Sequence, residues 1–343
     1  MASGPVGRRL VTLVLAGDFG GTSARLALFE VAPGALPQLA QHGSYAARDV
    51  SGIDDAVARF LAEQGSPAVA AATFGVAGAV ADNRALLTNL GWNADGAALG
   101  ERFGFPVELV NDLVATALGM SALTKEDVVE LNPDAAHEPG NAVLVGAGTG
   151  LGVALLVWSG QRVLAAPSEG GHAELAAHDE EEWALHEFLA ARFGGRVSVE
   201  RVVSGMGLRN LYDFLLDRRE VAPSREVEAS LAAGEDAGRA IAQAGLDKSC
   251  PLCVRVLDLF ARAFGSYAGD LALIGGARGG VYLGGGVSER LADKLADGTF
   301  LRAFMNKGRL TDFVQTVPVQ IILRPDTAIW GAARRAGELA AER

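Results

Sequence analysis

Several short stretches of this sequence pair residue types and spacings that could do chemistry. In AGDFGGTSAR, residues 16–25, Asp18 precedes the glycine pair Gly20–Gly21, and apolar runs lead into and out of the turn. Bare backbone lets successive N–H groups converge on phosphate oxygens, and a nearby carboxylate suits the accompanying metal ion. A hairpin that simply needs glycine is the plainer reading. GAGTGLG, residues 146–152, offers a second such turn, and Gly284, Gly285 and Gly286 a third, between a strand-like GVYL and a helix-like SERLADKL. Asp112 follows the short apolar run VELV and heads an amphipathic stretch, where a carboxylate can face a cleft or cap the helix. Glu169 and His172 in PSEGGHAE would make half of a metal site on a helix. The two intervening glycines argue against that helix, at about 1 kcal/mol each. Glu200, in VSVERVVSG, stands with Ser198 where a helix could simply begin.

The spacings exclude some chemistries. No GxxxxGK[ST] is present, so a P-loop is out. The 146–152 run leads into a strand, whereas a dinucleotide fingerprint opens a helix. Cys250 and Cys253, the two cysteines of the chain, form a single CxxC with no second pair and no histidine close in sequence, which reads as two small residues near a helix start.

The elements that must position these residues are legible in outline. An apolar run that turns on glycine and at once resumes is a hairpin, because helical spacing has no room to start. Residues 11–31 and 142–158 both have this form, about 130 residues apart, which suggests two related halves. Between them DDAVARFLAEQG has helical periodicity, and AVAAATFGVAG reads as a buried strand ending in a turn. Further on, DEEEWALHEFLAARFG is a helix with an acidic first turn favourable to its dipole, broken at Gly194–Gly195. DRREVAPSREVEAS reads as a solvated loop. The run from Cys253 to Ala277 reads as one long helix kinked at Gly265 and Gly269, and DTAIWGAARRAGELAAER as a C-terminal helix. The order is mixed α/β, without a linker long enough for independent modules.

At 343 residues two domains are the default, and 50% apolar residues suffice for large cores. A net charge of −11 disfavours a nucleic-acid partner and fits a soluble cytoplasmic protein. No stretch approaches the roughly 20 apolar residues of a membrane span, and the apolar run before Asp18 is too short for a signal peptide.

Taken in order, GDFGGTSARLALF, VNDLVATALG, GAGTGLGVALL, SEGGHAE, ERVVSGMGLRNLY and GGVYLGGGV resemble the bacterial ATP-dependent glucokinase family, within the actin, sugar-kinase and heat-shock ATPase superfamily. The resemblance runs from about residue 11 onward. It implies a two-domain actin-like, ribonuclease H-like α/β fold with a ligand cleft between the domains, the smaller from residues 1–122 plus 325–343 and the larger from 123–324. It implies that Asp18, Gly20, Gly21 and Thr22 lie near the phosphates of ATP, with Asp18 holding Mg²⁺ through water. Gly148, Thr149 and Gly150 form the other phosphate loop, and Gly284 to Gly286 lie by the nucleoside. The hexose ligands map onto Asn111, Asp112, Glu169, His172 and Glu200, with Asp112 as the catalytic base. Asn89 and Trp92 fall on the sugar-side wall, where a tryptophan is more often packing. The usual GGTNAR has Ser23 in place of its asparagine, a local adjustment, and Arg25 is equally a phosphate ligand or a carboxylate's partner. The cysteine-dense zinc motif of wider relatives is missing, so no structural zinc is expected.

The expected reaction is transfer of the γ-phosphoryl group of MgATP to D-glucose in a homodimer, without nucleic-acid or membrane partners. A kinase of mannose, fructose or an N-acetylated sugar is the neighbouring reading. A sugar-responsive repressor would need a DNA-binding module where only about ten residues precede the first strand. A non-catalytic assembly protein would not need the five sugar-facing residues.

Overall fold

The computed structural model describes residues 11–87, 90–161 and 163–342. The chain divides into two compact units: residues up to Thr124 together with those from Asp326 onward, and the continuous segment Lys125–Pro325.

In the first unit the glycine hairpin forms as its pattern demands, β1 (Thr12–Phe19) against β2 (Ser23–Val31), followed by β3 (Gln38–Ala46), helix α1 (Ile53–Glu63) and β4 (Ala72–Val76). A small separate sheet of β5 (Val80–Ala81), β6 (Arg84–Leu87) and β7 (Trp92–Asp95) leads through α2 (Gly96–Phe103) to β8 (Val107–Asn111) and α3 (Asp112–Gly119). The main sheet runs β3-β2-β1-β4-β8, with the first three strands antiparallel and the last three parallel. Alternation sorts its faces. Leu15, Phe19, Leu26 and Leu28 join Phe60 and Phe74 on one side. On the other, Val14, Ala16, Ala27 and Phe29 meet Ile329, Ala332, Ala333 and Ala336 of helix α13 (Thr327–Ala341). Small residues let α13 and α3 cross almost backbone to backbone. A Cβ on Gly331 would fall 1.8 Å from the Ala115 carbonyl oxygen, and one on Gly119 2.0 Å from that of Thr327.

The second unit repeats the plan. Its strands are β9 (Val128–Glu130), β10 (Ala142–Ala147), β11 (Leu151–Trp158), β12 (Val163–Ser168), β13 (Gly280–Gly284) and β14 (Val319–Ile322), in the order β12-β11-β10-β13-β14-β9. Apart from the added edge strand β9, both sheets follow one scheme: a hairpin, a third antiparallel strand, then two parallel neighbours. The paired halves expected from the hairpins are present as topology. The helices are α4 (Glu180–Phe193), α5 (Gly205–Arg218), α6 (Arg225–Ala232), α7 (Ala237–Leu246), α8 (Pro251–Gly275), α9 (Gly286–Arg290), α10 (Ala292–Leu295), α11 (Thr299–Met305) and α12 (Thr311–Gln315).

Three expectations need correction, and one extends further than its reading. Helix α8 is one uninterrupted helix, and Gly265 and Gly269 serve packing: their Cβ atoms would lie 2.1 and 2.5 Å from the carbonyl oxygens of Phe300 and Phe304 on α11. DRREVAPSREVEAS is only partly loop, since Arg225–Ala232 forms α6 and buries Val227. SERLADKL is two short helices rather than one, α9 ending at Arg290 and α10 beginning at Ala292. The acids of α4 do more than favour its dipole. Asp179 caps the helix, Glu181 pairs with Arg255, and Glu182 lies 3.3 Å from Arg262, both on α8.

The cysteines read as expected. Cys250 is the N-cap of α8, its sulfur accepting the Cys253 N–H at 3.3 Å, and both are buried. Burial pushes the Cys253 thiol well up, away from reactivity.

Candidate active site

The proposed site residues are divided between the units, and within each they gather. In the first unit Asp18 lies one rung from the end of β1, opposite Arg25 on β2 and beside Gly75 on β4. Strand alternation puts it on the face shared with Val14 and Ala16, the side that carries α13. It is buried, and an Arg25 guanidinium nitrogen donates to Oδ2 at 2.5 Å. Burial raises the Asp18 pKa, and Arg25 opposes the shift. Arg25 therefore serves as the partner of a carboxylate.

Asn111 ends β8 and caps α3. Its Oδ1 accepts the N–H groups of Leu113 and Val114 at 3.0 and 3.4 Å, and its Nδ2 donates to the Gly78 carbonyl at 3.1 Å. That settles one alternative: the cap is Asn111, and Asp112 is the first residue of the helix. The Asp112 Oδ1 accepts the Leu113 N–H at 2.9 Å. Its carboxyl pKa is pushed up to about 6, first by burial and next by the negative charge of Asp18. Gly75 stands between them in the sheet without a side chain, and a Cβ there would come 3.7 Å from the Asp112 Cα. The two acids thus share one environment.

The sequence reading missed Asn83. With Asp82 it forms the β5–β6 turn, both residues at positive φ, and its amide bonds Leu109 N–H at 2.7 Å and Val107 C=O at 2.9 Å. It holds the outer edge of the strand that delivers Asn111 and Asp112. The Asp-Asn pair before an apolar run was the available signal. Trp92 packs against the core of this unit, as tryptophans usually do, and Asn89 lies outside the described residues.

The glycine turns answer the question of why they are bare. Gly20, Gly21, Gly148 and Gly150 are not among the glycines at positive φ, so backbone geometry does not demand them. A Cβ on Gly148 would meet nothing within 4 Å, and one on Gly20 only the Ser23 carbonyl at 3.9 Å. Open space lies before both, as a phosphate cradle requires. Thr22 and Thr149 are exposed at the two tips.

In the second unit Gly146 pairs with both Gly152 and Gly284, which brings the second and third glycine stretches to one end of the sheet. Here Gly285 has a structural reason: its φ is +87°, and a Cβ would fall 2.3 Å from the Ala147 carbonyl oxygen. Gly286 has open space before it. The segment 200–205 wraps the hairpin tip. Glu200 Oε2 accepts the Leu151 N–H at 2.9 Å, Ser204 Oγ donates to the Glu200 carbonyl at 2.7 Å, and Gly205 N–H donates to the Gly148 carbonyl at 2.8 Å. A Cβ on Gly150 would meet Glu200 Oε2 at 2.5 Å. Glu200 therefore seats itself on the second turn.

Glu169 precedes and His172 ends a single 3-10 turn, Gly170–His172, in place of the α-helix that the glycines disfavour. Gly171 is needed because a Cβ would lie 1.8 Å from the Leu151 carbonyl oxygen. The His172 ring sits 3.9 Å from Glu200 Oε1 through Nδ1 and 4.0 Å from Glu169 Oε2 through Nε2. Bridging between 173–175 and 197–199 holds these segments side by side. Glu169 and His172 remain exposed, at 80% and 57% of their side chains, while Glu200 is at 18%. Two carboxylates and an imidazole gathered in this way match the donors and acceptors of a polyhydroxylated ligand.

A family model described as glucokinase matches residues 15–339. The chain belongs to the glucokinase family. A curated glucokinase from Nostoc punctiforme is 36% identical over 341 residues, covering 96% of this chain and 100% of the relative. The crystal structure of a glucokinase from an Antarctic psychrotroph superposes with a TM-score of 0.80 at 29% identity, covering 95% of this chain and 99% of that one. A ROK family glucokinase from Streptomyces griseus, solved with glucose and AMPPNP, shares the fold at a TM-score of 0.63 and 22% identity, with 95% and 99% covered. Glucokinase membership makes the chain an ATP-dependent glucose kinase of the two-domain actin-like ATPase fold.

Proposed function

We propose that Asp112 is the general base for transfer of the γ-phosphoryl group of MgATP to the 6-hydroxyl of D-glucose, giving glucose 6-phosphate and ADP. The observation that carries this reading is the state of Asp112. It leads α3 without being spent as the cap, and its pKa near 6 leaves it ionised at pH 7 yet basic. Phosphoryl transfer asks the protein mainly for positioning and charge stabilisation, plus a carboxylate that orients the attacking hydroxyl and takes its proton.

In the same reading Asn111, Glu169, His172 and Glu200 hold sugar hydroxyls. A wrong sugar leaves such groups unpaired at about 1–3 kcal/mol each. Gly20, Gly21 and Thr22, with Gly148, Thr149 and Gly150, take the phosphates, and Gly284 to Gly286 face the nucleoside. The open space before Gly20, Gly148 and Gly286 supports this assignment. Asp18 fits a cation held through water, because its buried carboxylate is opposed by desolvation and added positive charge would relieve that. Mg²⁺, when bound with the nucleotide, would neutralise charge on the phosphate oxygens. The two compact units stand as the two domains of the enzyme, and the family resemblance supports a cytoplasmic homodimer feeding glycolysis. No helix among the described residues is long and apolar enough to cross a membrane.

The test is glucose-dependent ADP release from MgATP, comparing the purified protein with Asp112→Asn. Release that requires glucose and falls about 10²- to 10⁴-fold in a folded variant is the expected result. Undiminished release in the variant would remove Asp112 from the mechanism, and release with another hexose alone would overturn the substrate.

A further inference from the structure

Helix α8 carries one side chain that reaches the sugar-facing turn. The Tyr267 hydroxyl, on a residue only 8% exposed, donates to the Gly170 carbonyl at 2.6 Å. Gly170 opens the turn that follows Glu169 and ends at His172. The contact is tight on both sides, since a Cβ on Gly170 would lie 3.0 Å from that hydroxyl and 3.2 Å from Val153 on β11. The turn is therefore clamped between a strand and a phenol. Tyr267 has its hydroxyl kept protonated, with a pKa pushed up to about 12 by burial and by Asp270, so it is a permanent donor.

The helix is itself fixed at this point. Gly265 and Gly269 let the α11 backbone close onto it. The Lys307 side chain, 5% exposed, bonds the Ser266 carbonyl at 2.9 Å and Asp270 at 2.7 Å. Residue 267 lies about 200° around the helix from 265 and from 269, so α11 pins one face while Tyr267 presents the opposite one.

We propose that Tyr267 is a positioning residue for sugar recognition: by holding the Gly170 carbonyl it sets the backbone from which Glu169 and His172 meet the hexose. This rests on the assignment of Glu169 and His172 to the sugar. The Tyr267 hydroxyl bonds the backbone beside Glu169 and His172 rather than a phosphate turn, so its effect is expected on glucose.

Steady-state kinetics of Tyr267→Phe test this directly. Loss of one buried hydrogen bond should raise KM for glucose about three- to tenfold, with kcat and KM for ATP within about twofold of wild type. In a double-mutant cycle, Gly170→Ala should cost less glucose affinity in the Tyr267→Phe background than alone, because the opposing hydroxyl is gone. An unchanged glucose KM in Tyr267→Phe, an equal rise in both KM values, or strict additivity in the cycle would overturn the inference. His172→Gln and Glu169→Gln separate the two ways of failing. If they leave glucose KM unchanged, the sugar assignment is wrong. If they raise it while Tyr267→Phe does not, only the positioning role is lost.

Discussion

At the last rungs of the first hairpin Asp18 lies opposite Arg25 and Phe19 opposite Ala24; at the matching rungs of the second, Gly146 lies opposite Gly152 and Ala147 opposite Leu151. The backbone plan is the same, and both tips present glycine to open space. The charge is not. The first unit builds a carboxylate into the strand and sets Asp112 near it, where the charge of Asp18 adds to the cost of ionising Asp112. The second leaves its strand bare and brings Glu200 in from a separate segment to bond the backbone after the turn. On the proposed assignment, a repeated scaffold carries the cradle twice and divides the acids, with the proposed base and metal ligand in one unit and the carboxylates Glu169 and Glu200 proposed for sugar hydroxyls in the other.

The comparison breaks most sharply at Asp112. Beyond the kinetic loss, Asp112→Asn should make the protein more stable at pH 7. The native carboxyl holds its proton up to about pH 6 and an unfolded one only to about 3.8, so the native state binds more protons across that window. Stability therefore falls as pH rises through it, and the full cost, roughly 3 kcal/mol at most, is present at neutral pH. Thermal melts of both proteins at pH 4 and 7 should show the variant's advantage at pH 7 only. Equal melting at both would mean that Asp112 is not strained. The wild-type rate should also drop about tenfold per pH unit below 6, measured as initial ADP release.

Smaller effects separate the two turns. Gly20→Ala and Gly148→Ala place a methyl in open space, so melting should move by less than about 0.5 kcal/mol while KM for ATP rises roughly tenfold or more. Gly150→Ala should instead disturb Glu200 and raise KM for glucose as well. If Gly148→Ala affects neither substrate, the second turn is not a phosphate loop. Gly331→Val acts through stability, costing about 1–3 kcal/mol by driving α13 off α3, and an unchanged melting temperature would refute the close crossing.

Much of this was legible from local pattern. The hairpins, the VELV strand into Asn111 and Asp112, and the helix breaks at glycine are set by residues close in sequence, where periodicity and turn chemistry speak plainly. What escaped depends on partners far along the chain. Gly265 and Gly269 read as kinks because the α11 backbone that requires them lies more than thirty residues on. The capping choice between Asn111 and Asp112 turned on side-chain reach, which spacing does not encode. Tyr267 and Lys307 carry no motif, and their meaning comes from Gly170 and Ser266, met only in three dimensions. The stretch 225–230 looked solvated because Val227 is its one buried residue, with Leu231 half-buried against the core just beyond.

Helix α13 brings a consequence for the order in which the protein is made. The second unit is one continuous segment and can finish folding while synthesis continues. The first cannot, because the strip formed by Val14, Ala16, Ala27 and Phe29 has no cover until residues 327–341 leave the ribosome. The unit that carries Asp112 is begun first and completed last, and during that interval its uncovered strands are the part of the nascent chain most in need of a chaperone.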